Sequence, residues 1–391
     1  MRIHLPTLCM KRIAFFTNIV SPYRIPFFNY LAEFPGIELK VYYLAQQEQN
    51  RQWRTYLEEI RYTYEILKGI SVTFRNRTIH LNTGVARSFV TFQPDIAVVG
   101  TDILSSPASW MVLHHARARH IPIIRYEANH RYNPSLTSIK QLLYRIYCRA
   151  VTGFFVYSPL TEEYLRAIGV SGKPIVVGYN VGDTQYLQQK TQAYRATTEY
   201  AHERESLPSV LFLFSGQLDK RKNIMGLLRI LTRLDLSDAG LFILGDGALR
   251  EEVARSCTSL KNMKVWPLGF KQRADCIKYY ALADIFALPT LYDPASIVLS
   301  EALACGLFTI GSICDGSAHS FLKSQTNGIL VNPSDEGALG QAILRAYHLK
   351  RDGALNKSRI ARSMTHYSTR AYAARLANLI EKLASGVKCS S

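Results

Sequence analysis

Residues 283–306 read ADIFALPTLYDPASIVLSEALACG. The short apolar run Asp284–Pro289 has the composition of a strand buried on both faces. A brief loop separates it from Asp293-Pro294, a good N-cap followed by a proline suited to the first helical position, so a helix is expected to open there. Within that helix Val298, Leu299, Ala302 and Leu303 are apolar, which leaves Glu301 beside a buried face, where a carboxylate needs a partner. Strand, loop and helix in this order set two carboxylates, Asp293 and Glu301, around a helix amino end. Its free N–H groups suit a phosphate.

Outward from this stretch, strand-like apolar runs alternate with helical periodicity twice over. The first series is Ile13–Thr17, Glu38–Leu44, Asp95–Gly100, Ile121–Tyr126, Gly153–Tyr157 and Pro174–Gly178. The second is Val210–Ser215, Leu241–Gly245, Lys264–Pro267, Ile285–Pro289, Phe308–Gly311 and Gly328–Val331. Near-continuous apolar strands separated by helices imply parallel sheets covered on both faces. The expected fold is α/β, with two doubly wound Rossmann-like domains at 1–183 and 208–366. The polar stretch 184–207 reads as a linker, and a last helix lies within 367–391.

In open α/β sheets ligands bind at the carboxyl ends of strands. After Val210–Ser215 come Gly216 and the cations Lys220, Arg221 and Lys222, which oppose the dipole of a following helix unless an anion lodges there. A solvated basic turn is the bland reading. Gly245-Asp246-Gly247 follows the next strand, but Arg250 stands where a dinucleotide fingerprint needs its third glycine, and no GxxxxGK[ST] loop occurs. Phe270 follows Leu268-Gly269 and suits either a base or the core. At the first strand's end lie Asn18, Tyr23 and Arg24, and at another lie Glu127 and His130, in RYEANHR. Glu127 is the better acceptor contact of that pair. A surface position is the commoner fate for such a histidine.

Together these stretches resemble the retaining glycosyltransferases of family 4, group 1, over about residues 12 to 385. The hallmark is two Glu residues eight apart; here Asp293 and Glu301 hold those places. Phe214 to Asn223 is similar to the family's basic donor-diphosphate motif, with Lys222 at its Lys position, Gln217 where Arg is common, and Arg221 able to supply the guanidinium. Tyr179-Asn180-Val181-Gly182-Asp183 resembles the segment that closes the N-terminal domain. The resemblance implies the GT-B arrangement, with the last helix crossing back to brace the first domain. It also implies a donor site of Asp293, Lys222 and Arg221 in catalytic roles, with Glu301, Gly216, Gly245, Phe270, Ser296 and Ile297 binding the nucleotide sugar. Asn18, Tyr23, Arg24, Glu127 and His130 fall on the acceptor side. The family's front-face route needs neither a strong protein base nor an obligatory metal. No DxD occurs, and no cofactor or metal is expected.

Composition bounds the partners. The chain has 391 residues, 48% of them hydrophobic, enough for two cores. No apolar run approaches the ~18–20 residues that span a bilayer. Met1 to Met10 holds no apolar leader core, so a secretory signal is not expected. The seven cysteines show no CxxC or CxxH spacing, as in a reducing cytosol. The formal net charge is +17, and between His114 and Arg149 seven Lys and Arg face one acid, Glu127. Beside it Ile139, Leu142, Leu143 and Ile146 recur at helical spacing, which suits an anionic membrane surface or, equally, a core-packed helix with a solvated basic face. No motif supports nucleic acid. The expectation is transfer of a hexose-type sugar from a nucleotide diphosphate to a hydroxyl of a glycan or lipid-linked acceptor. Its setting would be surface polysaccharide or lipopolysaccharide assembly in the cytoplasm, peripheral on the inner membrane face. A sugar-nucleotide epimerase or hydrolase, or a silent binding homologue, stays as the alternative.

Overall fold

A computed structural model of the chain describes residues 10–48, 51–74, 77–103, 106–323 and 325–385. The first half carries strands β1 (Lys11–Ile19), β2 (Ile37–Ala45), β3 (Thr63–Ile66), β4 (Gly69–Phe74), β5 (Arg77–Asn82), β6 (Ile96–Val99), β7 (Ile123–Glu127), β8 (Gly153–Val156) and β9 (Ile175–Val177). The second carries β10 (Val210–Ser215), β11 (Ala239–Leu244), β12 (Lys264–Gly269), β13 (Ile285–Leu288), β14 (Phe308–Ser312) and β15 (Gly328–Val331). β6, β8, β10, β11, β13 and β14 are buried at every position, because helices cover both faces of each sheet.

Both main sheets are parallel. Their orders are β3-β2-β1-β6-β7-β8-β9 and β12-β11-β10-β13-β14-β15. Each order reverses direction once, at β1 and at β10. At such a switch point the loops leaving two adjacent strands diverge and open a crevice. In the second sheet the adjacent strands are β10 and β13, whose loops carry the basic turn and Asp293. The last helix, Thr369–Ser385, returns to the first domain and packs on the helix Ile25–Ala32, with Phe27 and Tyr372 rings 4.7 Å apart.

One expectation needs correction, and two stretches carry more structure than their sequence announces. The helix after β13 opens at Ile297, not at Asp293-Pro294, and its N-cap is Ser296. Asp293 is drawn instead into side-chain contacts with the basic turn. The polar stretch 184–207, read as a linker, is helical. It forms the helices Thr184–Arg195 and Thr198–Glu205, capped by the side chains of Asp183 and Thr197, and the first packs on the helices Arg273–Leu282 and Ile297–Ala304. Finally, β3 and the antiparallel hairpin β4–β5 are additional elements.

Candidate functional site

The basic cluster is a tight 3-10 turn, Lys220–Lys222, rather than the first turn of a helix. Asp219 caps it by accepting from the Lys222 amide at 2.9 Å. Asn223, left-handed at φ 55°, then breaks the chain direction before the helix Ile224–Leu231 begins. The backbone is stitched to the loop beyond β13: the Leu291 amide and the Thr290 hydroxyl both donate to the Arg221 carbonyl, at 2.8 and 2.9 Å. The turn and the Asp293 loop are therefore one unit.

On that unit the Lys222 Nζ and the Arg221 guanidinium converge on one oxygen, Asp293 Oδ2, at 2.6 and 2.8 Å. Asp293 and Lys222 are both buried. Burial pushes the Asp293 carboxyl up, but Lys222 and then Arg221 outweigh it and hold the group below its ordinary range. Arg221 also lies 3.6 Å from Asp219, so Asp293 and Asp219 between them balance Arg221 and Lys222, and Lys220 is the third cation of the turn. Gly216 lies alongside, and a Cβ there would meet the Lys222 side chain at 3.5 Å, an ordinary contact. Gly245 is different. It sits at φ 148°, and a Cβ would lie 1.9 Å from the Gly216 carbonyl oxygen, so that crossing of strand ends requires glycine. Phe270, beyond β12, is 36% exposed and so free of the core.

A carboxylate the sequence reading passed over completes this side. Asp315, fully buried after β14, accepts from the Ser296 amide at 3.2 Å, from the Ser296 hydroxyl and from the Ser317 amide at 2.8 Å. It thus tethers the N-cap residue of the Ile297–Ala304 helix. Burial, then the charge of Asp293, pushes its carboxyl up to about 6. An Asp-Gly pair after a strand reads only as a turn, so nothing local flagged it. Ile297 heads the helix, its amide among those an α-helix leaves without an internal partner. Glu301, one turn inside, receives a hydrogen bond from the Tyr280 hydroxyl at 3.1 Å. Burial pushes its carboxyl up to about 7 against the pull of Tyr280 and Arg273.

The first domain meets this unit directly. His130 is fully buried, contrary to the surface placement expected, and its Nε2–H donates to the Asp293 carbonyl at 2.9 Å. That bond assigns the tautomer and leaves Nδ1 an acceptor with no partner. Burial lowers the pKa of the ring and keeps it neutral. Asn180 donates to the Ala295 carbonyl at 3.0 Å, and the Gly182 amide to the Ser300 hydroxyl at 3.2 Å. Glu127, expected to touch an acceptor, is instead spent inside the domain. It pairs with Arg125 at 2.8 Å and accepts from the amides of Ala128 and Asn129 at 2.7 and 2.8 Å. Arg24 is enclosed by tyrosines, donating to the hydroxyls of Tyr157 at 2.7 Å, Tyr372 at 3.2 Å and Tyr126. It ties β1 to the returning helix rather than facing open space. Tyr23 lies edge-on to Trp53, and Asn18 Oδ1 has no partner. Among the described residues no three His, Cys, Asp or Glu side chains gather as metal ligands, and no helix is long and apolar enough to cross a membrane.

Two facing parallel α/β domains with a terminal helix crossing back define the GT-B fold. Two solved structures superpose on nearly the whole chain. Sucrose-phosphate synthase from Thermosynechococcus elongatus does so at TM-score 0.72 and 14% identity, covering 96% of this chain and all of that one. HepE from Anabaena, in complex with UDP, does so at 0.71 and 17%, covering 95% and all of that chain. Residues 198–363 match the sequence family described as glycosyl transferases group 1. Among curated proteins, the N-acetylgalactosamine-N,N'-diacetylbacillosaminyl-diphospho-undecaprenol 4-alpha-N-acetylgalactosaminyltransferase of Campylobacter jejuni is 29% identical over 219 residues, 53% of this chain and 56% of that one. The chain therefore spans about half the length of that relative.

Proposed function

We propose that this chain is a retaining glycosyltransferase that moves a sugar from a nucleoside diphosphate to a hydroxyl of a glycan or lipid-linked acceptor. The observation that carries the reading is the convergence of Lys222 and Arg221 on Asp293, at the switch point of the second sheet and in the loop that leads into the Ile297–Ala304 helix. A donor diphosphate entering there exchanges places with the Asp293 carboxylate. Its charge then rests on Lys222, Arg221 and the amide of Ile297, which take the part a divalent cation would otherwise play. In a dry cleft these groups stabilise charge that builds on the departing diphosphate, the kind of contribution worth ~3–4 kcal/mol per donor.

Glu301 accepts from the ribose hydroxyls. Asp293, released from the cations, and the lone acceptor at His130 Nδ1 are left to hold sugar hydroxyls. The acceptor hydroxyl attacks on the face the diphosphate leaves and passes its proton to a phosphate oxygen. The C–O bond to the acceptor forms as the anomeric C–O bond to phosphate breaks, with configuration retained. Because the curated relative is named for a diphospho-undecaprenol substrate, we place the acceptor among lipid-linked glycans, in cell-surface polysaccharide or lipopolysaccharide assembly at the inner membrane face.

Thermal unfolding with UDP-, GDP- and ADP-sugars tests the donor class, since specific binding raises the midpoint by mass action. UDP-sugars come first, because HepE holds UDP on the same fold. Product NMR then reads the anomeric configuration. No stabilisation by any of the three, or isomerised donor and free sugar without acceptor, would reject transfer in favour of a silent or epimerase-type protein.

A further inference from the structure

Two apolar surfaces stand open on one side of the first domain. The helix Ser138–Ala150 buries Tyr144, Tyr147 and Cys148 but leaves Ile139 74%, Leu142 58%, Leu143 41% and Ile146 47% exposed. The hairpin β4–β5 pairs Ile70 with Leu81 and Val72 with Ile79. All four of those side chains face water, while His80, on the other face, is buried. The hairpin is bracketed by Leu67 and Val85, which share a core with Tyr144 and Tyr147 of the helix, and β5 packs on the intervening helix Pro107–Ala118. Both surfaces therefore belong to the layer that covers one face of the first sheet.

Charge decides what covers them. Lys140, Arg145 and Arg149 interleave with the helix's apolar residues, and this helix contains no acid. On two further helices of this layer, Val85–Thr91 and Pro107–Ala118, Arg87 and Arg117 are exposed. From Lys68 to Ala150 the sequence holds only three acids, Asp95, Asp102 and Glu127, and the last is buried against Arg125. A second copy of this chain would bring like charge against like charge. An anionic bilayer supplies what the face lacks: acyl chains for the apolar residues and phosphates for the arginines.

We propose that this layer, the Ser138–Ala150 helix together with the β4–β5 hairpin, is the surface that docks the protein on an anionic membrane leaflet. It deepens the lipid-linked acceptor reading, because it brings the first domain to the plane where such an acceptor lies. Binding is measured without donor or acceptor, so its failure is separate from failure of the transfer reaction.

The test is co-sedimentation of the full chain with phosphatidylcholine vesicles, with and without about one third phosphatidylglycerol, across a salt series. The expected result is binding to the anionic vesicles only, weakening steeply with salt. Leu142→Glu with Ile146→Glu, and separately Val72→Glu with Ile79→Glu, should each weaken binding by about tenfold or more. All four side chains are exposed, so unchanged thermal midpoints confirm that both variants fold. Equal binding to both vesicle types would overturn the proposal, as would wild-type binding by the hairpin variant. Sedimentation velocity showing a dimer that these substitutions abolish would assign the face to a second copy instead.

Discussion

Asp293 carries two duties that conflict. Its carboxylate pairs with Lys222 and Arg221, and on the proposed reading a donor diphosphate takes those cations from it. Replacing it by Asn removes the charge but keeps the shape, leaving buried Lys222 without its carboxylate and Arg221 with Asp219 alone. The free protein should then lose on the order of 2 kcal/mol of stability, since a half-broken buried pair leaves its partners exposed to their own desolvation cost. A nucleoside diphosphate should restore the midpoint and bind Asp293→Asn more tightly than wild type, while transfer falls by about a hundredfold or more. Calorimetric titration with UDP checks the first part; weaker UDP binding would show that Asp293 does not compete with the diphosphate. Glu301 makes a pH prediction. Its carboxyl titrates near 7 in the folded protein against an ordinary 4.5. The folded state therefore holds the extra proton between those values, and wild-type stability declines as pH rises through that window. A Glu301→Gln variant has no such decline. At pH 8 it should be more stable than wild type by on the order of 3 kcal/mol, falling below about 1 kcal/mol near pH 5. It should also bind nucleotide sugar about tenfold less well. Thermal unfolding at the two pH values decides it, and equal differences at both would remove the burial argument.

Elements bring these residues together, and glycine geometry sets how closely. Gly216 and Gly245 both follow strands of the second sheet and look equivalent in sequence, yet their surroundings are not. Gly216→Ala should cost less than about 1 kcal/mol, because a methyl there meets only a flexible lysine stem. Gly245→Ala forces a methyl onto a carbonyl oxygen at a φ that L residues avoid, and should cost about 3 kcal/mol or leave little folded protein. Denaturant unfolding of both variants tests this, and equal midpoints would refute it. The same scale shows where sequence was readable. β10 and β13 were legible because both faces are covered and their apolar runs are unbroken. The start of the helix after β13 was not: Asp-Pro is a good local cap, but Lys222, 71 positions away, competes for the same carboxylate and wins. The exposed, alternating hairpin β4–β5 gave no buried run to detect, and polar 184–207 hid two helices whose stability comes from capping and tertiary packing.

For the whole molecule, strand order does what local pattern does not announce. Lys222 and Asp293 were each flagged by their place at a strand end, but their contact depends on β10 and β13 being neighbours, which is set by long-range pairing. Likewise Glu127 and His130, three residues apart, part company in the assembled protein. One is consumed by Arg125 within its own domain; the other crosses to the second domain's loop. His130 thus joins the second domain's unit only while the two domains stay closed. Arg273 is placed to hold them. From the second domain it pairs with Asp183 at 2.7 Å and Glu59 at 3.4 Å, and its guanidinium lies 3.9 Å over the Tyr186 ring. Its charge also lowers the Glu301 pKa. Arg273→Ala should cost only about 1 kcal/mol of global stability, because the pairs are partly exposed. Its larger effect should be on closure, which assembles the catalytic groups. We expect a larger radius of gyration by X-ray scattering in the free protein, contraction toward the wild-type value when donor is added, and a higher KM for donor. Donor affinity, which should fall on acidification as Glu301 takes up its proton, should do so at higher pH than in wild type, since the cation that favours the charged form is gone. Wild-type scattering with an unshifted pH profile would mean that the seam is held elsewhere and that Arg273 serves neither domain closure nor the donor carboxylate.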